Sequence, residues 1–151
     1  MSPMDKIVNL RTISHSVALD AVVAAIAYGA TQQCPVAAAV MGAGGELIAF
    51  ARANGAPFHS TSIAQDKALT AASFKVPTPE LHRMVSDNDA LRAGITARSG
   101  IVLFGGGLPI FVDDECIGGI GISGGSEAID IECANAGLLA LGAKQFSEKA
   151  F

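Results

Sequence analysis

The 151-residue sequence has no tryptophan, a single tyrosine and few charged side chains. Charged residues make up 16% of the chain, against about 25% in an average soluble domain. The net charge is −4 at pH 7, and the basic residues form no cluster of the kind that a nucleic-acid-binding surface requires. Because half of the residues are hydrophobic and the net charge is small, the composition also excludes an intrinsically disordered chain.

Membrane and secretion signals are missing as well. The longest apolar stretch, residues 17–28, is interrupted by Asp20 and is shorter than the roughly 18–20 residues of a membrane-spanning helix. The first residues lack a basic start followed by a hydrophobic segment, so we expect a cytoplasmic protein. Cys34, Cys116 and Cys133 show no CxxC spacing, which predicts reduced, buried thiols.

The order of apolar segments, caps and turns predicts one α+β domain over residues 1–151. The segment 86–99 has no clear periodicity and is left unassigned. The expected helices are 12–33, 60–75, 79–85 and 126–146, and the expected strands are 36–41, 46–52, 101–104, 108–112 and 116–122. The hairpins between neighbouring strands make the sheet antiparallel. With so few charges to cover the surface, we also expect a homo-oligomer.

Two glycine-rich segments raise the question of a ligand. Residues 119–124 fit G-x-G-x-x-G, but a dinucleotide site needs an acidic residue about 20 positions further on, where this chain has Lys144. Alternation along the strand instead places Gly119, Gly121 and Ser123 on one face, a flat strip for a helix or a neighbouring subunit to approach.

The second glycine segment, Gly105, Gly106 and Gly107, supports two interpretations. Its backbone N–H groups could hold an anion or a carbonyl oxygen. The triplet could also be a bulge that turns the strand. The residues alone leave both open.

Residues 52–67 contain the densest group of polar candidates. Lys67 is the one charged residue on a mainly apolar helical stripe, so its head either reaches solvent or points into a pocket. In a pocket, Arg52 and Lys67 would form a cation pair for a small acid. Otherwise Arg52 caps a loop carbonyl. The candidate substrate-binding residues are Arg52, Asn54, Ser60, Gly105, Gly106 and Gly107.

The three histidines show no metal-ligand spacing, so no metal site is expected. His59 precedes a helix, where it could act as a general base. His15 or His59 could instead serve as a single axial ligand to heme iron. No G-x-S-x-G motif supports a serine hydrolase.

Residues 55–74, GAPFHSTSIAQDKALTAASF, and residues 104–126, which begin FGGGLPI and end IGGIGISGGS, resemble the GlcG/HbpS family. The resemblance covers residues 10–146. It implies a compact α+β domain with an antiparallel sheet of about five strands flanked by helices, and self-assembly into dimers or rings. Some members bind heme, others belong to catabolic operons, and one branch removes halogen from a chlorinated hydroxymuconate.

The His59-Ser60 form of the motif most resembles the catabolic branch. It therefore implies an enzyme without a cofactor, a hydrolytic dehalogenase that adds water to a small anionic 2-hydroxy dicarboxylate. His59 and Lys67 would be its catalytic residues. The alternative is a non-catalytic heme-binding or heme-handling protein, for which His15, early in the first helix, is the candidate ligand.

Overall fold

The computed structural model describes residues 3–147, which form a four-stranded antiparallel sheet between two layers of helices. A short 3-10 helix at Pro3–Lys6 precedes the domain. The helices are α1 (His15–Thr31), α2 (Ser60–Phe74), α3 (Thr78–Val85), α4 (Asp89–Thr96) and α5 (Glu127–Leu141), and the strands are β1 (Ala37–Gly42), β2 (Leu47–Arg52), β3 (Gly107–Val112) and β4 (Glu115–Ser123). The predicted α+β class and single compact domain are confirmed.

The strands lie in the order β2-β1-β4-β3, and every neighbouring pair is antiparallel. Ala37 of β1 pairs with both Arg52 of β2 and Ser123 of β4. Gly107 at the start of β3 pairs with Gly121. The ends of β2 and β4 and the start of β3 therefore meet at one end of the sheet, beside the first turns of α2.

The sheet has a different helical layer on each face. Ala37, Ala39 and Met41 pack against α2 in one small cluster. Ala38 and Val40, which alternate with them along β1, belong to the larger core formed with α1 and α5. A strand buried on both faces carries apolar residues at consecutive positions, and this explains why β1 is an uninterrupted run of small apolar residues.

The expected fifth strand at residues 101–104 is absent. There the N–H of Val102 donates to Thr70 Oγ1 at 3.1 Å, and Thr78 Oγ1 donates to the carbonyl of Phe104 at 2.6 Å. Side chains of α2 and α3 thus satisfy backbone groups that a strand would direct to a neighbouring strand. The count of about five strands was therefore wrong.

Two helix boundaries differ from expectation by three residues or more, and one unassigned segment contains a helix. Helix α1 begins at His15 rather than at residue 12. Helix α5 ends at Leu141 rather than near residue 146, because Gly142 adopts a left-handed conformation (φ 66°) that ends the helix. The unassigned segment contains α4, whose start is fixed by Asn88, whose side chain accepts a hydrogen bond from the N–H of Leu91.

The strip of small residues on β4 lies directly under α2. A Cβ at Gly119 would collide with the carbonyl oxygen of Ala68, and one at Gly121 with that of Ala64. The backbone of α2 therefore lies directly against the strand, which contributes no side chain at these two positions. The prediction of a flat strip for close approach is confirmed, and the approaching element is a helix of the same chain.

Candidate functional site

Lys67 lies at the centre of the most polar group of buried side chains in the described residues. The residue is 1% exposed, and its Nζ donates to the carbonyl of Ile122 at 2.8 Å. The same Nζ lies 3.1 Å from Oδ2 of Asp130. The lysine therefore points inward, and its charge is balanced by a carboxylate of the protein itself.

Asp130 is equally buried, at 3% exposure, although it lies in the first turn of α5. Its second oxygen, Oδ1, accepts the N–H of Gly125 at 2.9 Å. The dipole of α5 favours a carboxylate at this position, and no pattern in the sequence indicates its partnership with Lys67. A signal of its burial was present, since Asp130 shares one helical stripe with Cys133, Ala134, Gly137 and Leu138, all buried.

Burial opposes charge on both members of the pair. Burial lowers the pKa of Lys67, and the attraction of Asp130 offsets part of that effect. Burial also raises the pKa of Asp130, and Lys67 and the Gly125 N–H act in the opposite direction. Each partner offsets part of the cost of burying the other's charge, and the loss of either would leave an uncompensated buried charge.

The glycine loop, residues 105–107, makes room for this ion pair. Gly106 has φ +126°, and a Cβ there would lie 2.7 Å from Lys67 Nζ. The N–H of Gly105 donates to Glu127 Oε1 at 2.7 Å, and that of Gly107 donates to Thr78 Oγ1 at 3.2 Å. Two of the three N–H groups expected to hold a substrate thus already have partners within the protein.

Phe104 contacts Lys67 and also lines an outer cavity. Lys67 Nζ lies 5.0 Å from the centroid of its ring, and the residue is 50% exposed. The cavity beyond the ring has a volume of about 280 Å³. It is lined by Pro79, His82, Leu103, Phe104 and Glu127.

Arg52 and Lys67 do not form the expected cation pair. Arg52 is exposed at the end of β2, with its guanidinium 5.2 Å from the centroid of the Phe58 ring. Its contact is therefore with an aromatic ring at the surface, whereas Lys67 is directed into the protein. Their side chains have no common partner among the contacts of the described residues.

The other predicted substrate-site residues are spread over the same end of the sheet. His59 is exposed and immediately precedes α2. Ser60 is buried, with its Oγ 3.3 Å from Oγ of Ser123. Asn54 is exposed and lines a separate shallow cavity that includes Cys34. The structure thus brings Lys67 together with the glycine loop, but not with His59, Arg52 or Asn54.

His15 lies on a different surface. It is the first residue of α1 and is exposed. Leu19 and Val23 follow one and two turns later along the helix and are 49% and 66% exposed. An imidazole therefore sits at one end of an exposed apolar strip, which we call the α1 strip and define as His15, Leu19 and Val23.

The cysteines depart in part from expectation. All three are free, as predicted, but only Cys133 is buried, whereas Cys34 and Cys116 are partly exposed. Within residues 3–147, no three His, Cys, Asp or Glu side chains gather closely enough to hold a metal ion. The helices in this range are too short or too polar to cross a lipid bilayer.

Comparison with known proteins identifies both related sequences and related solved structures. Over 110 residues the chain is 36% identical to the corrinoid adenosyltransferase PduO of Salmonella typhimurium, covering 72% of this chain but only 33% of that protein. It thus spans about a third of the length of that relative.

Two solved structures share the fold. The PduOC:heme complex is 30% identical, with a TM-score of 0.82 over 90% of this chain and 99% of the other. The HbpS double mutant of Streptomyces reticuli is 26% identical, with a TM-score of 0.84 over 94% and 95% of the two chains.

These findings contradict the interpretation as a hydrolase or dehalogenase. None of these relatives is named for hydrolysis or dehalogenation, and one was solved with heme. A sequence profile described as "Haem degrading protein HbpS-like" matches residues 13–139. The resemblance to HbpS seen in the sequence is thereby confirmed, and the chain belongs to the HbpS-like family.

Proposed function

We propose that this protein binds heme and that His15 supplies an axial ligand to the iron. The observation that carries the proposal is the α1 strip, where an exposed imidazole begins a row of exposed apolar side chains. The 30% identical PduOC domain forms a complex with heme, which supports the same function for this chain.

The α1 strip fits the chemistry that heme requires. A porphyrin presents a wide apolar face and an iron that a single histidine can ligate. His15 offers the nitrogen ligand, and Leu19 and Val23 offer exposed apolar surface on the same helix. When bound, heme would supply a redox-active iron, and the residues of this chain would hold and orient it.

Self-association is part of the proposal, because one helix covers only one side of a flat ligand. Leu139 on α5, which packs beside α1, is also exposed, at 64%. Exposed apolar side chains on adjacent helices are typical of surfaces that meet another protein. A second copy of the chain placed against this surface would exclude water from the heme.

We also propose a cytoplasmic location for this protein.

The test is a hemin titration of the purified protein, followed at the Soret band. We expect saturation at a fixed ratio of heme to subunit and a sharp, shifted band. His15→Ala should remove the shift and weaken binding at least tenfold. His59→Ala and His82→Ala are matched controls, because both replace an exposed imidazole, and they should titrate like the unmodified protein.

Two results would overturn parts of this proposal. A rise in absorbance that never saturates means nonspecific association and rejects heme binding. A saturable, unchanged spectrum in His15→Ala, with loss in one of the controls, keeps heme binding but rejects His15 as the ligand.

A further inference from the structure

The Lys67 side chain links the two helical layers that the sheet keeps apart. Helix α2 packs on one face of the sheet and α5 on the other. Lys67 extends from α2 beside Gly106 and the carbonyl of Ile122, and ends at Asp130 of α5. The two layers are thus joined by an ion pair that passes next to the glycine loop.

Several contacts hold the loop at this crossing. The carbonyl of Phe104 accepts a hydrogen bond from Thr78 Oγ1 at 2.6 Å, and the carbonyl of Gly106 accepts the N–H of Ile122 at 2.9 Å. Glu127 of α5 accepts the Gly105 N–H, and Thr78 of α3 accepts the Gly107 N–H. A further contact, the one that involves the Phe104 side chain, places its ring over the Lys67 ammonium. A cation facing an aromatic ring attracts it, and the attraction grows when the pair is shielded from water.

Phe104 depends on the ion pair for this anchor. Asp130 offsets the desolvation that opposes charge on Lys67, and a neutral amine would attract the ring much less. Glu127 adds a second carboxylate nearby, which favours the same charge. The position of Phe104 is therefore coupled to Asp130, although no contact between Phe104 and Asp130 is required.

We propose that the Lys67–Asp130 pair is a latch that keeps residues 103–107 closed as a lid. In the closed state, Phe104 separates the cavity of about 280 Å³ from the ammonium of Lys67. When the pair is broken, Phe104 loses its cation, the loop opens, and the cavity extends inward to the ends of α2 and α5. Lys67 and Asp130 are positioning residues in this device, and it does not depend on heme.

Amide hydrogen exchange of the full chain, without heme, tests the latch. Lys67→Met keeps most of the length of the side chain and removes its charge, and Asp130→Asn keeps the shape of the carboxylate. Both should raise exchange at Gly105 and Gly107 at least tenfold relative to exchange in β1. Leu138→Ala, a buried change in α5 away from the loop, is the control and should raise both regions equally.

The double variant Lys67→Met/Asp130→Leu distinguishes opening of the loop from a loss of overall stability. Apolar replacement of both partners removes the buried charges, so this variant should fold even where a single variant does not. We expect its melting temperature to recover while the loop still exchanges at least tenfold faster than in the unmodified protein. Recovery of loop protection together with stability would refute the latch, as would equal exchange of loop and β1 in the single variants.

Discussion

Nζ of Lys67 and Oδ2 of Asp130, 63 positions apart in the sequence, lie 3.1 Å from each other, and both residues are almost fully buried. The two charges come from helices on opposite faces of the sheet. Burial opposes the ionised form of both residues. The pair therefore stabilises the fold only as long as both members are present.

Removing one member should cost far more stability than removing both. Lys67→Met or Asp130→Leu should lower the free energy of unfolding by about 3–5 kcal/mol, because the remaining charge is buried without its partner. Lys67→Met/Asp130→Leu should recover most of that loss. Urea unfolding of the four proteins closes a double-mutant cycle. Additive losses in this cycle would show that the two charges do not compensate each other.

The contact between α2 and β4 should not tolerate a methyl group. Gly121→Ala places a Cβ against the carbonyl of Ala64 and should destabilise the protein by about 1–3 kcal/mol. Gly94→Ala is the control, because nothing lies within 4 Å of its added Cβ in α4, and it should stabilise by about 0.5–1 kcal/mol. Thermal unfolding measures both, and a neutral Gly121→Ala would contradict the close packing.

The α1 strip should be needed for heme binding and self-association but not for folding. Val23→Asp places a charge at a position that is 66% exposed, so the isolated fold should lose less than about 0.5 kcal/mol. We expect weaker heme binding and a smaller species in light scattering. Leu91→Asp, on the exposed side of α4, is the matched control. If both variants behave alike, the strip has no special role.

Stability should fall at alkaline pH through Cys133. Burial raises the pKa of this thiol to about 12, whereas an unfolded cysteine titrates near about 8.5. Between these values the unfolded chain has lost the proton that the folded chain retains, so the free energy of unfolding decreases as pH rises. The check is urea unfolding from pH 8 to pH 10. Cys133→Ala should show a shallower decline, and an equal slope in both proteins would reject this assignment.

Much of the fold could be predicted from local signals. The turn at Gly44-Gly45 and the apolar runs beside it predict the β1–β2 hairpin, and the start of α2 at Ser60 was also expected. These features depend on residues within a few positions of each other. The segment 101–104 was misjudged because its backbone partners, Thr70 and Thr78, are side chains on distant helices.

Of the two members of the buried ion pair, only Lys67 could be predicted from the sequence as a candidate site residue. Lys67 stands out in the sequence because a lone charge interrupts an apolar helical stripe. Asp130 does not stand out in the same way, since the helix dipole is enough to explain a carboxylate in the first turn of a helix. The glycine triplet predicts a loop with free N–H groups, but its close approach to Lys67 depends on the three-dimensional path of that side chain.

The contact between α2 and the glycines of β4 also limits how the molecule can move. Side chains at most helix–sheet contacts can change rotamer and so absorb a small sliding motion. Gly119 and Gly121 have no rotamers, and they meet backbone atoms of the helix. Helix α2 and the sheet should therefore move as one rigid body, leaving internal motion to segments that are held by side chains.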